Sequence, residues 1–232
     1  VLAKHIFIMG DSVDRTMAND LCTIHTEVLK YDDIKQYNWC QHDTNLFPNN
    51  LDHEVCQICS YHNTSLATAF FFGSSDMGPY HNQDKLIQND VLQYHTGKRM
   101  RPVYDAYVKQ FGHPTQLMLS FAVWDLFGML WSTGDTGDKL PLKDNVLWKK
   151  CVDEYEKNLR IRILQARQIL DDTNSAHTEL WLRTSPVNAH LQVLLYEVNS
   201  ITRRLAAEYN CGLFDYDFMI YDKIHFYLKK KR

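Results

Sequence analysis

No stretch of this 232-residue chain approaches the roughly 18 consecutive apolar residues that a membrane-crossing helix needs, and no Pro/Gly/Ser-rich stretch divides it. The first absence argues against a membrane span, and the second, at this length, points to one domain. An excess of positive charge is missing too. Lys and Arg number 25 against 28 Asp and Glu, a formal net charge of −3, which argues against a nucleic-acid partner because phosphate binding needs clustered cations. The one basic cluster, Lys229 to Arg232, ends the chain and reads as a solvated tail. Internal repeats and low-complexity tracts are absent as well. What is present is a globular composition, 45% apolar and 23% charged, enough for a full core and too apolar for a disordered chain. The first residues read as a strand rather than a signal peptide, so a targeting segment would lie outside these 232 residues.

Six cysteines (Cys22, Cys40, Cys56, Cys59, Cys151, Cys211) and the sequon Asn63-Thr64-Ser65 together predict a secretory-pathway protein, in the Golgi lumen or outside the cell. Such a protein would carry up to three disulfides and a glycan on Asn63. At least two disulfides are expected, one or more of them from the Cys40/Cys56/Cys59 group. Residues 37–63 read as a Cys-rich insertion. The nearby His42, His53 and His62 leave a structural zinc site as the alternative, but a single C-x-x-C without a second matching pair favours disulfide bonding.

Five apolar runs have strand character: HIFIM (5–9), LATAFFF (66–72), QLMLSFAVW (116–124), ELWLRT (179–184) and the weaker GLFDY (212–216). Amphipathic helices are predicted over 144–172 and 190–210, the second closed by Gly212. Strands alternating with helices imply parallel pairing, hence a three-layer α/β/α sandwich around a roughly five-stranded parallel sheet. Ligands of such sheets bind outside the carboxyl ends of the strands, so function should sit just after residues 9, 72, 124 and 184.

Those positions carry Gly10-Asp11-Ser12, Gly73-Ser74-Ser75, Trp124-Asp125 and Arg183-Thr184-Ser185. The C-terminal segment YDKIHFY adds Asp222 and His225, three residues apart. A serine hydroxyl is a poor nucleophile until a neutral imidazole takes its proton, and the imidazole needs a carboxylate on its other nitrogen. Asp-x-x-His supplies both from one turn of chain.

GDS near the amino end, glycine after the second strand, W-D after the third and D-x-x-H near the carboxyl end resemble the SGNH/GDSL hydrolase superfamily. IMGDSVDR, AVWDL and LWLRTSP followed by VNSITRRLAAEYN are similar to its PC-esterase branch, which includes polysaccharide O-acetyltransferases and esterases. The resemblance implies a flavodoxin-like fold in which Ser12 is the nucleophile, His225 the general base and Asp222 the orienting carboxylate. The backbone N–H groups of Ser12 and Gly73 would form the oxyanion hole. Arg15, Trp124, Asp125 and Arg183 would contribute to substrate binding, with no cofactor and no metal. The chain departs from the superfamily at its third block, where Trp124 stands in place of the usual Asn donor.

Each residue also has a plain structural reading. Ser12 suits a helix cap, Trp124 a core aromatic, Gly73 a tight turn. Arg15 suits a surface pair with Asp11 or Asp14, and Arg183 a buried pair with an acidic neighbour. Tyr80, Tyr94 and Tyr104 suit stacking on a sugar or ordinary packing. The expected activity is that of a serine acyl-ester enzyme, an esterase or O-acyltransferase acting on a small-molecule or polysaccharide ester such as a carbohydrate O-acetyl group. A non-catalytic binding domain on the same fold is the alternative.

Overall fold

The computed structural model describes residues 4–28, 34–40, 56–76, 95–126, 145–185 and 192–216. Their strands are β1 (Lys4–Gly10), β2 (Lys35–Asn38), β3 (Gln57–Tyr61), β4 (Thr64–Phe70), β5 (Gln116–Leu119), β6 (Glu179–Arg183) and β7 (Gly212–Phe214). The described α-helices are α1 (Ser12–Thr23), α2 (Thr96–Phe111), α3 (Asn145–Asp172) and α4 (Gln192–Glu208), with a π-helical turn, Ile24–Val28, prolonging α1. None of the described helices is long and apolar enough to cross a membrane.

All strands join one seven-stranded mixed sheet in the order β2-β3-β4-β1-β5-β6-β7. The five apolar runs supply β4, β1, β5, β6 and β7, and their pairings are parallel. The two strands beyond the expected five, β2 and β3, pair antiparallel at the β4 edge. They lie at the start of and within the Cys-rich insertion, and their short runs KQYN and QICSY lack the apolar continuity of a central strand. Counted alone, the parallel strands follow the order second, first, third, fourth, fifth, so the chain reverses direction across the sheet at β1.

Side chains of period two separate two cores. Phe7, Met9, Leu117, Leu119 and Leu182 belong to the larger one, which includes Tyr104 and Tyr107 of α2, Ile163 of α3 and Leu205 of α4. Ile8, Leu66 and Met118 face the opposite side, where Met17, Ala18 and Leu21 of α1 pack on them. An apolar cavity of about 750 Å³ remains on that side, lined by Val13, Met17, Met118, Trp181, Phe214 and Tyr216 among others. Two disulfides tie the antiparallel edge together: Cys22–Cys59 joins α1 to β3, and Cys40–Cys56 joins the ends of β2 and β3. A zinc module built on Cys40, Cys56 and Cys59 therefore loses its thiolates, and Cys151 and Cys211 stand outside both disulfides.

Three local expectations change. The third strand ends at Leu119, where the Ser120 N–H makes a last ladder bond to the Met9 carbonyl (3.0 Å), and residues 122–126 are helical, so Trp124-Asp125 lies on a helical turn. Asn210 (φ 47°), not Gly212, takes the left-handed position after α4; the Cys211 N–H donates to the Ala206 carbonyl and the Asn210 N–H to that of Ala207. Gly212 serves packing instead, because a Cβ there would lie 2.3 Å from the Trp181 indole of the neighbouring strand. Tyr104 is not available to a sugar: it is fully buried, with its hydroxyl 3.0 Å from Ser175 Oγ.

Candidate active site

The carboxyl ends of β4, β1, β5, β6 and β7 lie along one edge of the sheet, and the local chemistry begins at β1. Asp11, not Ser12, caps α1: its carboxylate accepts from the Val13 N–H (2.8 Å), while Asp14 returns the favour by accepting from the Asp11 N–H (2.9 Å). Ser12 is thereby the first helical residue, where backbone N–H groups have no helical carbonyl to meet and the helix dipole favours negative charge. Gly10 is required for space rather than for an unusual φ. A Cβ on it would sit 2.1 Å from Asp14 Oδ2.

Asp11 and Asp14 are both buried and both engaged by Arg183 from the end of β6. The guanidinium lies 2.7 Å (Nε) and 3.0 Å (Nη2) from the Asp14 oxygens and 3.5 Å from Asp11 Oδ1. Arg183 is itself only 2% exposed. Burial, reinforced by the Asp14 charge and only partly offset by Arg183, pushes the Asp11 carboxyl up to about 7. Arg183 also donates to the Thr184 carbonyl (3.1 Å) and lies over the Tyr216 ring, 5.7 Å from its centroid. Of its two sequence readings, the buried acidic pairing is the one its contacts describe. The same two carboxylates are buried rather than at the surface, and Arg15 is half-buried in the first turn of α1.

Beyond β4 the chain turns at Gly73, whose φ of 89° disfavours any side chain and whose Cβ would come 2.7 Å from Asp125 Oδ1. Asp125 Oδ2 accepts from the Ser74 N–H (2.8 Å), so the aspartate of the W-D element holds this loop. Burial raises its carboxyl to about 7, with the Ser74 hydrogen bonds working in the other direction. Arg162, buried in the middle of α3, donates to the Ser74 carbonyl (2.8 Å) and to Asp76 (2.8 Å), and the Thr96 hydroxyl donates to the Gly73 carbonyl (2.8 Å). Trp124 packs edge-on against Phe70 and Phe72, at 6.0 and 5.4 Å between centroids.

On the β6 side, Asn199 of α4 holds Ser185 by two hydrogen bonds, from the Ser185 N–H (2.8 Å) and to its carbonyl (3.0 Å). Thr184 donates to Asp215, which is in turn ion-paired to Arg203 at 2.8 Å. The structure thus brings Asp11, Asp14, Arg183 and Tyr216 together beside the Ser12 backbone, and separately Gly73, Ser74 and Asp125. The Ser12 hydroxyl, Asp222, His225, Tyr80 and Tyr94 lie outside what it describes.

Arg162, Asn199 and the Asp11–Arg183–Asp14 group were not singled out together from sequence. Their signal was polar residues in apolar helix stripes, Arg162 among Leu159, Ile163 and Ala166, and Asn199 among Leu195, Val198 and Thr202. For Asp14 it was the capping-box spacing from Asp11.

No family model matches this chain, and no curated protein does. Among solved structures it is similar to the crystal structure of an acetyl xylan esterase, AlAXEase, with 18% sequence identity over 98% of this chain and 83% of that one, at a TM-score of 0.43.

Proposed function

We propose that the chain is a serine acyl-ester enzyme of SGNH type on an α/β/α sandwich, an esterase or O-acyltransferase for carbohydrate O-acetyl groups. The observation that carries this reading is the capping of α1 by Asp11. The commonest structural use of a serine at a strand-to-helix turn is the cap itself, and here that role is already filled. Ser12 is left at the helix N-terminus, at the carboxyl end of β1, where the sheet order reverses and ligands of such folds bind.

In this mechanism Ser12 attacks the ester carbonyl as His225 takes its proton, with Asp222 on the other ring nitrogen of the imidazole. The tetrahedral oxyanion is met by the backbone N–H groups of Ser12 and Gly73, each such donor contributing about 10²–10³ in rate. Collapse expels the alcohol, protonated by His225, and leaves acyl-Ser12. Water then yields the free acid, or a sugar hydroxyl yields a new ester. The two disulfides suit an oxidising compartment, in line with a secreted or Golgi-lumenal enzyme.

The test is covalent labelling with a fluorophosphonate and turnover of p-nitrophenyl acetate. Wild type should be labelled, Ser12→Ala should not, and His225→Ala should lose most labelling and turnover. Removing both residues should cost little more than removing one, because such groups act as a unit. Equal labelling of Ser12→Ala and wild type would leave the non-catalytic binding domain as the reading.

A further inference from the structure

We propose that Arg183 is a positioning residue that clasps the Ser12 turn to the start of the C-terminal segment, an inference that rests on the function proposed above. One guanidinium touches both parts. Toward α1 it meets Asp14 at 2.7 and 3.0 Å and Asp11 at 3.5 Å, the two residues that cap the helix opened by Ser12. Toward the carboxyl end it lies 5.7 Å from the Tyr216 ring centroid, six residues before Asp222 in the chain. The segment that would deliver the base and its carboxylate therefore departs from the same side chain that anchors the nucleophile's turn.

The arrangement is costly to build without a purpose that needs a fixed geometry. Arg183, Asp11 and Asp14 are 2%, 1% and 0% exposed, and a buried ion pair stabilises a fold no better than apolar residues of similar volume. What such a group contributes is direction, since a planar guanidinium donates to carboxylates along its N–H vectors, as Nη2 does to Asp14 Oδ2. Gly10 is spent on the same arrangement, because any Cβ there would collide with the Asp14 carboxylate. The departing segment is held from a second side: Thr184, next to Arg183, donates to Asp215 (3.0 Å), and Arg203 of α4 pairs with the same carboxylate.

The function so assigned differs from that of a substrate ligand. A substrate-binding arginine acts on KM, whereas a positioning residue acts on the approach of Ser12 to its base and so on kcat. A misplacement of about 1 Å costs on the order of 10²-fold in such a constellation.

The experiment compares wild type with Arg183→Met, Arg183→Lys and Tyr216→Leu in p-nitrophenyl acetate turnover and fluorophosphonate labelling, with circular dichroism melts on each variant. Ser12→Ala is the control. Arg183→Met keeps the side-chain volume and removes the charge; it should fold, lose about 10²-fold in kcat and labelling rate, and keep KM within about twofold. Arg183→Lys should recover part of the loss, since an ammonium can still pair with Asp14, and Tyr216→Leu should lower kcat without changing KM. A folded Arg183→Met with wild-type kcat overturns the inference, as does a loss confined to KM. Should Arg183→Met fail to fold, Tyr216→Leu decides, and wild-type kcat in that variant overturns the inference. If wild type itself is labelled no more than Ser12→Ala, the proposed function fails and the inference falls with it. If wild type is labelled at Ser12 and the variants match it, only the inference fails.

Discussion

Replacing Asp125 with asparagine should change how the stability of this protein depends on pH. The carboxyl of Asp125 faces the Gly73–Ser75 loop, and burial raises its pKa from 3.8 to about 7. Between those two values the folded protein keeps a proton that the unfolded chain has released. The contribution of Asp125 to stability is therefore fully present below about pH 4 and is lost as pH rises through 7. At ~1.36 kcal/mol per pH unit the interval corresponds to a ceiling of ~4 kcal/mol. Asp125 is only half-buried as a residue, so solvent screening brings the figure nearer ~2 kcal/mol. Asparagine cannot ionise, yet its Oδ1 can still accept from the Ser74 N–H. Asp125→Asn should therefore match wild type at about pH 4 and melt ~4–8 °C higher at pH 8, taking ~2–4 °C per kcal/mol for a chain of this size. The assay is a pair of thermal melts across about pH 4 to 8 with the disulfides intact. Asp11, also raised to about 7 by burial, titrates in the same direction, so the variant should keep a shallower slope rather than none. Parallel melting curves for variant and wild type across that range would refute the reasoning.

Gly10→Ala should be severe for a residue of ordinary φ. Its Cβ, 2.1 Å from Asp14 Oδ2, must displace a carboxylate from Arg183 and leave buried charge unpaired, a loss of ~3–5 kcal/mol readable in urea denaturation. Mild reduction should lower the melting temperature, because the disulfides close intervals of 37 and 16 residues, and loops of that size contribute ~3–4 kcal/mol each. Unchanged melting after complete reduction would contradict this. Asn63 is exposed at the β3–β4 turn, so protein secreted from a eukaryotic cell should shift in mass on treatment with peptide N-glycosidase F. The shift should be absent in Asn63→Gln, whose folding should be unaffected.

The parallel strands were legible because the information for them is local. A central strand buried on both faces must be apolar throughout, and HIFIM, LATAFFF and ELWLRT advertise this without any partner being known. The long helices likewise show their buried stripe in 3.6-residue spacing, and the oxidised cysteines were legible from number and company. The edge strands were not: KQYN and QICSY are strands because the sheet edge and two disulfides make them so, and neither fact is written in their own residues. Helix ends followed the same division. Asp11 and Asp14 have the spacing of a capping box, but which of Asp11 and Ser12 takes the cap depends on where the chain leaves its extended conformation, and that happens after Asp11 (φ −106°, ψ −169°).

For the site, the sequence by itself determined which chemical groups the strand ends carry: a serine after a glycine-aspartate turn, a second glycine, an aspartate after tryptophan, an arginine. Only the tertiary structure decided what those groups do to one another. It joined Arg183 to Asp11 and Asp14 across some 170 residues of chain, gave Asp125 to the Gly73 loop, and sent Arg162 from the middle of a helix to the Ser74 carbonyl. These are contacts between buried charged and polar groups. Each such group must find a partner on folding because water is no longer available to it, and the choice of partner is fixed by the order of strands in the sheet, which no local pattern of residues records.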